Sequence, residues 1–160
     1  MIKLGVLANV QAAWFCKDAD AMKYILGEER VKTFNPFHSM IESGVMLCAG
    51  SDHIVKLDAN SSINPYNPFL GMWSMITRTT EKGTVIIPAE IISREQALKM
   101  YTINNAFATF EKSLKGSLEI GKLADLVVLS DDFLTCSIDQ IKDIESELTI
   151  VGGKVVYSSK

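Results

Sequence analysis

The stretch that most restricts the fold is Val45-Met46-Leu47-Cys48-Ala49, an apolar run that ends at Gly50-Ser51 and then presents Asp52 and His53. An apolar run of strand length with no alternation fits a strand covered on both faces, as in parallel sheets. Polar side chains at the C-terminal end of such a strand stand where α/β folds place their chemistry. Asp52 is therefore the candidate reactive carboxylate. A structural reading stays open beside it, because an acid just after a strand also serves as an Asx-turn or helix-capping residue.

A second apolar run, residues 4–10, has strand length, and helical spacing of Ala19, Met22, Ile25 and Leu26 predicts a short surface helix over 18–27. Residues 35–44 read as a two-turn helix, with Asn35 as cap, Pro36 at the first helical position and Gly44 as terminator. Joining the two strands through helical segments implies a parallel pair with a right-handed crossover. His38 falls on that helix as a partly exposed or hydrogen-bonded side chain. Residues 54–72 crowd Asp, Asn, Ser and Pro into a loop beyond Asp52, a place for a substrate loop or a plain surface connection. Asn67 in this loop is a candidate substrate contact. A mostly buried helix follows over 69–78, with Arg78 at its end either clamping an anion or favouring the helix dipole.

Ser93 and Gln96 form a capping-box pattern that opens a helix running through Ala106. After Phe110 the texture changes to strands and turns, and Gly152-Gly153 between β-branched runs signals a hairpin. The expected division is therefore 1–112, an α/β unit, and 113–160, a small β module.

Composition narrows the function. With 48% hydrophobic and 22% charged residues the chain is of globular type, and a net charge of −3 without a block of like charges gives no footprint for nucleic acid or an anionic membrane. No apolar stretch approaches the ~18 residues that span a bilayer, and no basic region precedes an apolar block and cleavage site, so a cytoplasmic location is expected. Cys16, Cys48 and Cys136 are an odd number at wide spacing, which suits free thiols rather than a disulfide framework or a CxxC metal knuckle.

Taken together, Gly50-Ser51-Asp52-His53, Asn64-Pro65-Tyr66-Asn67-Pro68-Phe69, Ile76-Thr77-Arg78, Ser93 to Leu98, Tyr101 to Ala106, Gly121-Lys122-Leu123-Ala124-Asp125-Leu126 and the Gly152-Gly153 hairpin resemble the C-terminal part of amidohydrolase-superfamily enzymes, the amidohydrolase 3 type in particular. The resemblance implies the last two strands and helices of a (β/α)₈ barrel, followed by part of a composite β-sandwich. It implies that Asp52 is the aspartate ending the eighth strand, the residue that touches the metal and takes a proton from its bound water. His53, Asn67 and Arg78 become candidate substrate contacts, and the implied substrate is a small amide or cyclic amide. A divalent metal, zinc by expectation, belongs to a full-length parent. The family's other ligand histidines have no counterparts, since the chain holds only His38 and His53. A zinc site needs about three protein ligands.

Two expectations follow. One is a C-terminal piece of a metal-dependent hydrolase of non-peptide C–N bonds, with Asp52 as its general base. The other is a non-catalytic structural fragment that forms a homo-oligomer, because open sheet edges and uncovered apolar faces drive association.

Overall fold

The computed structural model describes residues 1–53, 58, 61 and 65–160. A 3-10 turn, Ile2–Leu4, closes on Gly5 with φ 63°, so strand β1 is confined to Ala8–Val10 rather than filling residues 4–10. Helix α1 then runs Ala12–Arg30, far longer than the surface helix expected over 18–27. Its buried stripe is Ala12, Ala13, Phe15, Cys16 and Ala19, which carries the i, i+3, i+4, i+7 spacing of a helix packed on a core. Three alanines and the cysteine make up most of this stripe, and their small size hid it from a reading based on large apolar residues. Gly27 (φ 75°, ψ 171°) kinks the helix at the expected stop.

Helix α2 is Phe37–Glu42 and ends ahead of Gly44, whose φ of 84° turns the chain. The expected Asn35 cap is not made: Asn35 has φ 50°, Pro36 holds the cap position and no side chain caps from within. Glu90, distant in sequence, does this work instead. Its carboxylate accepts from Ser39 N at 2.9 Å and from Ser39 Oγ at 2.5 Å, placing negative charge at the first turn. Strand β2, Leu47–Ala49, is buried throughout and pairs parallel with β1, Ala8 opposite Leu47 and Val10 opposite Ala49.

Helix α3, Pro68–Thr77, buries Leu70 to Ile76 without interruption. Helix α4, Arg94–Tyr101, carries both halves of the Ser93/Gln96 capping box. The single helix expected through Ala106 is broken at Thr102 (φ −125°, ψ −98°), and α5 restarts over Ile103–Ala108. The main core gathers Ala12, Cys16, Phe37, Leu47, Ala49, Trp73, Met75 and Met100, so α1, α2, α3 and α4 all pack around the parallel strand pair.

Strands β3 (Leu126–Leu129), β4 (Ser146–Val151) and β5 (Lys154–Ser158) form an antiparallel sheet in the order β3-β4-β5. The Gly152-Gly153 turn between β4 and β5 has φ of 56° and 77°, the conformation that only glycine adopts freely at both positions. Asp125 Oδ1 accepts from Gly152 N at 2.7 Å, and Ala124 O accepts from Gly153 N at 3.1 Å, so the Ala124-Asp125 pair anchors the hairpin to the start of β3. The chain is thus mixed α/β with a small antiparallel sheet. The expected division near residue 112 does not divide the core: Phe133, Ile141 and Ile144 are buried with Trp73 and Leu70. Arg94 staples this excursion, donating to Phe133 O and Cys136 O at 2.7 Å each. Among the described residues no helix is long and apolar enough to cross a membrane.

Candidate functional site at the end of the parallel strands

Because β1 and β2 run parallel, their C-terminal ends lie side by side, and the turn 50–53 leaves from that end. Gly50 N donates to Val10 O at 3.0 Å, extending the pairing one residue past β2. Trp14, in the first turn of α1, donates its indole N–H to Ser51 O at 3.3 Å. Asp52 follows, exposed, with φ of 51°. A left-handed aspartate is uncommon, and such conformations persist where the surroundings hold them. His53 is half-buried. Its ring meets Tyr66 at 4.8 Å between centroids with a 54° tilt, and its Nδ1 is buried without a hydrogen-bond partner among the described residues.

The structure brings Asp52, His53, Ser51, Trp14 and Tyr66 together. Asn67 and Arg78 have other engagements. Asn67 caps α3, accepting from Phe69 N at 2.9 Å, and its Nδ2 donates to Lys142 O at 3.0 Å. Arg78 is fully buried. Its guanidinium donates to Ile86 O, Asn35 O and Phe34 O at 3.3, 3.0 and 3.1 Å and lies 3.7 Å over the Phe15 ring. Burial, partly offset by the Glu90 carboxylate, pulls its pKa down to about 10, so it stays charged at neutral pH. This side chain organises the fold around it. Residues 54–57, 59–60 and 62–64 of the expected substrate loop lie outside the described residues.

From the sequence, Asn104-Asn105 reads as a structural polar pair without catalytic geometry, and the structure gives each a backbone partner. Asn104 and Asn105 donate from Nδ2 to Leu47 O at 2.8 Å and to Ala49 O at 3.0 Å, and the Cys48 thiol donates to Asn104 O at 3.2 Å.

The donor set does not fit a metal ion by itself. Among the described residues no three His, Cys, Asp or Glu side chains gather, and the nine others include none of these types. Burial raises the pKa of the Cys16 thiol to about 11 and pushes Cys48 upward, which disfavours thiolate ligands. Of the candidate ligands, the chain offers Asp52 with His53 beside it, short of the three that a zinc site requires.

The chain is 35% identical over 130 residues to an N-substituted formamide deformylase of Arthrobacter pascens, covering 81% of this chain and 22% of the relative. It is 37% identical over 160 residues to the protein LONG AFTER FAR-RED 3 of Arabidopsis thaliana, covering 97% of this chain and 25% of the relative. Among solved structures, an uncharacterized metal-dependent hydrolase from Pyrococcus horikoshii OT3 superposes with a TM-score of 0.68 at 26% identity, over 86% of this chain and 26% of that one. The chain thus spans about a quarter of the length of these relatives. The sequence profile of the amidohydrolase family matches residues 1–157, and the chain belongs to that family.

Proposed function

We propose that this chain is the C-terminal portion of a metal-dependent hydrolase acting on non-peptide C–N bonds of small amides or cyclic amides, with Asp52 as its metal-contacting general base. The observation that carries the reading is the placement of Asp52: an exposed carboxylate held in a left-handed conformation at the C-terminal end of a parallel strand, in a chain of amidohydrolase descent. In this reading β1 and β2 are the last two strands of a (β/α)₈ barrel, and β3 to β5 are one portion of a β-sandwich. A divalent metal, zinc by preference, supplies Lewis acidity in the complete enzyme, with its remaining ligands coming from outside these 160 residues. What this chain contributes is the carboxylate that accepts a proton and returns it to the departing nitrogen. His53 lines the substrate side, where its buried Nδ1 is free to pair with a polar atom of the amide. Asn67 acts on that side only indirectly, by fixing the start of α3. The three free thiols accord with a cytoplasmic location.

A second reading concerns the 160 residues alone: a non-catalytic, self-associating fragment. The lack of a metal-ligand cluster among the described residues favours it, as do the exposed apolar side chains of the small sheet, among them Val127, Val155, Val156 and Tyr157. Elemental analysis of the purified chain separates the two. Well under one metal per chain, with a sedimentation velocity above that of a monomer, supports the fragment reading; one tightly held metal per chain refutes it. The general base is tested in a longer protein containing this segment. Asp52→Asn there is expected to reduce hydrolysis by about 10²-fold or more, and unchanged hydrolysis would remove Asp52 from the chemistry.

A further inference from the structure

Burial is uneven along the start of α1. Ala12, Ala13, Phe15 and Cys16 are all buried, whereas Trp14, the largest side chain among residues 12–16, is only half-buried. A tryptophan carries a large apolar area and one polar handle, so a place where the N–H finds a partner outside the core suits it. Here the partner is Ser51 O, which accepts from Trp14 Nε1 at 3.3 Å. The helix turn that carries Trp14 is itself tied down, since Ser74 Oγ donates to Ala12 O and Glu81 N donates to Cys16 O, both at 2.8 Å. The indole bond therefore joins a fixed helix start, just after β1, to the turn just after β2. These two strands are adjacent in the parallel pair and stay adjacent in a closed barrel, so the contact does not depend on what lies beyond the outer edge of either.

Ser51 O belongs to the peptide group on which the Asp52 backbone turns. That group is planar and rigid, and φ of Asp52 measures its orientation about the Asp52 N–Cα bond. A flip of the Ser51–Asp52 plane would exchange the φ of 51° for a negative value, with a compensating rotation at Ser51. The left-handed conformation is disfavoured for a residue with a Cβ, although aspartate tolerates it better than most, and its cost is comparable to what one hydrogen bond returns. A single donor on Ser51 O is therefore enough to decide between the two orientations. The flanking residues are held elsewhere, Gly50 N on Val10 O at 3.0 Å and the His53 ring on Tyr66, so of these three contacts only the indole bond acts on the plane that sets Asp52. We propose that Trp14 is a positioning residue for Asp52, its indole N–H holding the Ser51 carbonyl and with it the peptide plane from which the carboxylate is presented. The functional meaning rests on the assignment of Asp52 given above, whereas the positioning itself is testable without any activity.

The test uses the 160-residue chain labelled for NMR. In the unaltered protein the Trp14 indole proton is expected to exchange about tenfold more slowly than that of free indole, the consequence of one hydrogen bond, and exchange at the free rate overturns the inference. Trp14→Phe removes the donor and keeps an aromatic ring. Placing 3-benzothienylalanine at position 14 exchanges the indole N–H for sulfur at nearly unchanged shape, so a residue that merely fills space would lose nothing; should Trp14→Phe not fold, this isostere carries the same readout. In both proteins the strong intraresidue HN–Hα cross-peak that a positive φ gives Asp52 is expected to weaken, the ratio of negative-φ to positive-φ forms rising about tenfold. Asn35 and Ile87, also non-glycine residues at positive φ, serve as internal references. The Gly50 amide, bonded to Val10 rather than to Trp14, should keep its exchange rate relative to the Gly153 amide. An Asp52 cross-peak that weakens no more than those of Asn35 and Ile87 overturns the proposal. So does a Gly50 amide that accelerates about tenfold, since the strand end has then loosened as a whole. Failure of the Asp52 chemistry is seen separately, as unimpaired hydrolysis by Asp52→Asn in the longer protein.

Discussion

Replacing Arg78 by methionine tests the packing logic of the first half of the chain. The guanidinium is fully buried, satisfies the carbonyls of Phe34, Asn35 and Ile86, and stacks 3.7 Å over Phe15. Methionine fills much of the volume but donates no hydrogen bond. Leaving two or three buried carbonyls unmatched costs about 1–3 kcal/mol each, and the lost cation–π contact about 0.5–2 kcal/mol. The buried Glu90 carboxylate also loses a favourable charge interaction, while relief from burying the guanidinium charge itself offsets part of the sum. A net loss of about 3–5 kcal/mol is expected, a large share of the ~5–15 kcal/mol that stabilises a typical domain. At about 2–4 °C per kcal/mol the melting temperature should fall by roughly 10 °C. Urea unfolding followed by circular dichroism measures it. Lysine should rescue little, because one ammonium cannot span three carbonyls fixed by a planar fork. A Met variant within about 1 kcal/mol of the parent would refute the account and reopen a ligand-binding role for Arg78.

Three further outcomes are expected. The Cys16 thiol has its pKa raised from 9.0 to about 11 by burial, so its contribution to stability is complete below pH 9 and is lost as pH climbs through 11; the unfolding free energy of the parent in urea should fall over that window by up to about 2–3 kcal/mol more than that of Cys16→Ala, and parallel curves would contradict the assignment. A Cβ on Gly71 would overlap the Tyr101 hydroxyl, so Gly71→Ala should destabilise by about 1–3 kcal/mol and Tyr101→Phe should recover part of that loss in a double-mutant cycle; strict additivity would refute the contact. Arg94→Leu should release residues 130–145 from α4, seen as new protease cuts in that segment ahead of global unfolding, whereas an unchanged digestion pattern would show that Phe133, Ile141 and Ile144 hold the segment without the staple.

The strand that ends in Asp52, the Ser93/Gln96 cap and the Gly152-Gly153 hairpin were legible because each is a local pattern whose physics is complete within a few residues. Helix α1 was not, because its buried stripe is mostly alanine and cysteine, and nothing local says that a small residue is small in order to let another helix approach. The surroundings of Arg78 were hidden for a related reason. A charged residue at a helix end satisfies both the dipole and the ligand-clamp reading, and only the convergence of Phe34, Asn35, Ile86 and Phe15 around it shows where three of its five N–H donors are directed.

The site divides in the same way. The amino-acid sequence by itself determined the apolar strand, the acid and imidazole at its end, the poverty in histidine and the family pattern, since these are properties of residue types and their order. The tertiary structure decided how those residues are held: that Glu90 caps α2 across a long stretch of chain, that Asn67 is tied to α3 and Lys142, and that the amides of Asn104 and Asn105 cover the outward edge of β2. Buried backbone groups must find partners, but sequence order does not say which distant side chain will reach them; that follows only once packing has fixed the distances.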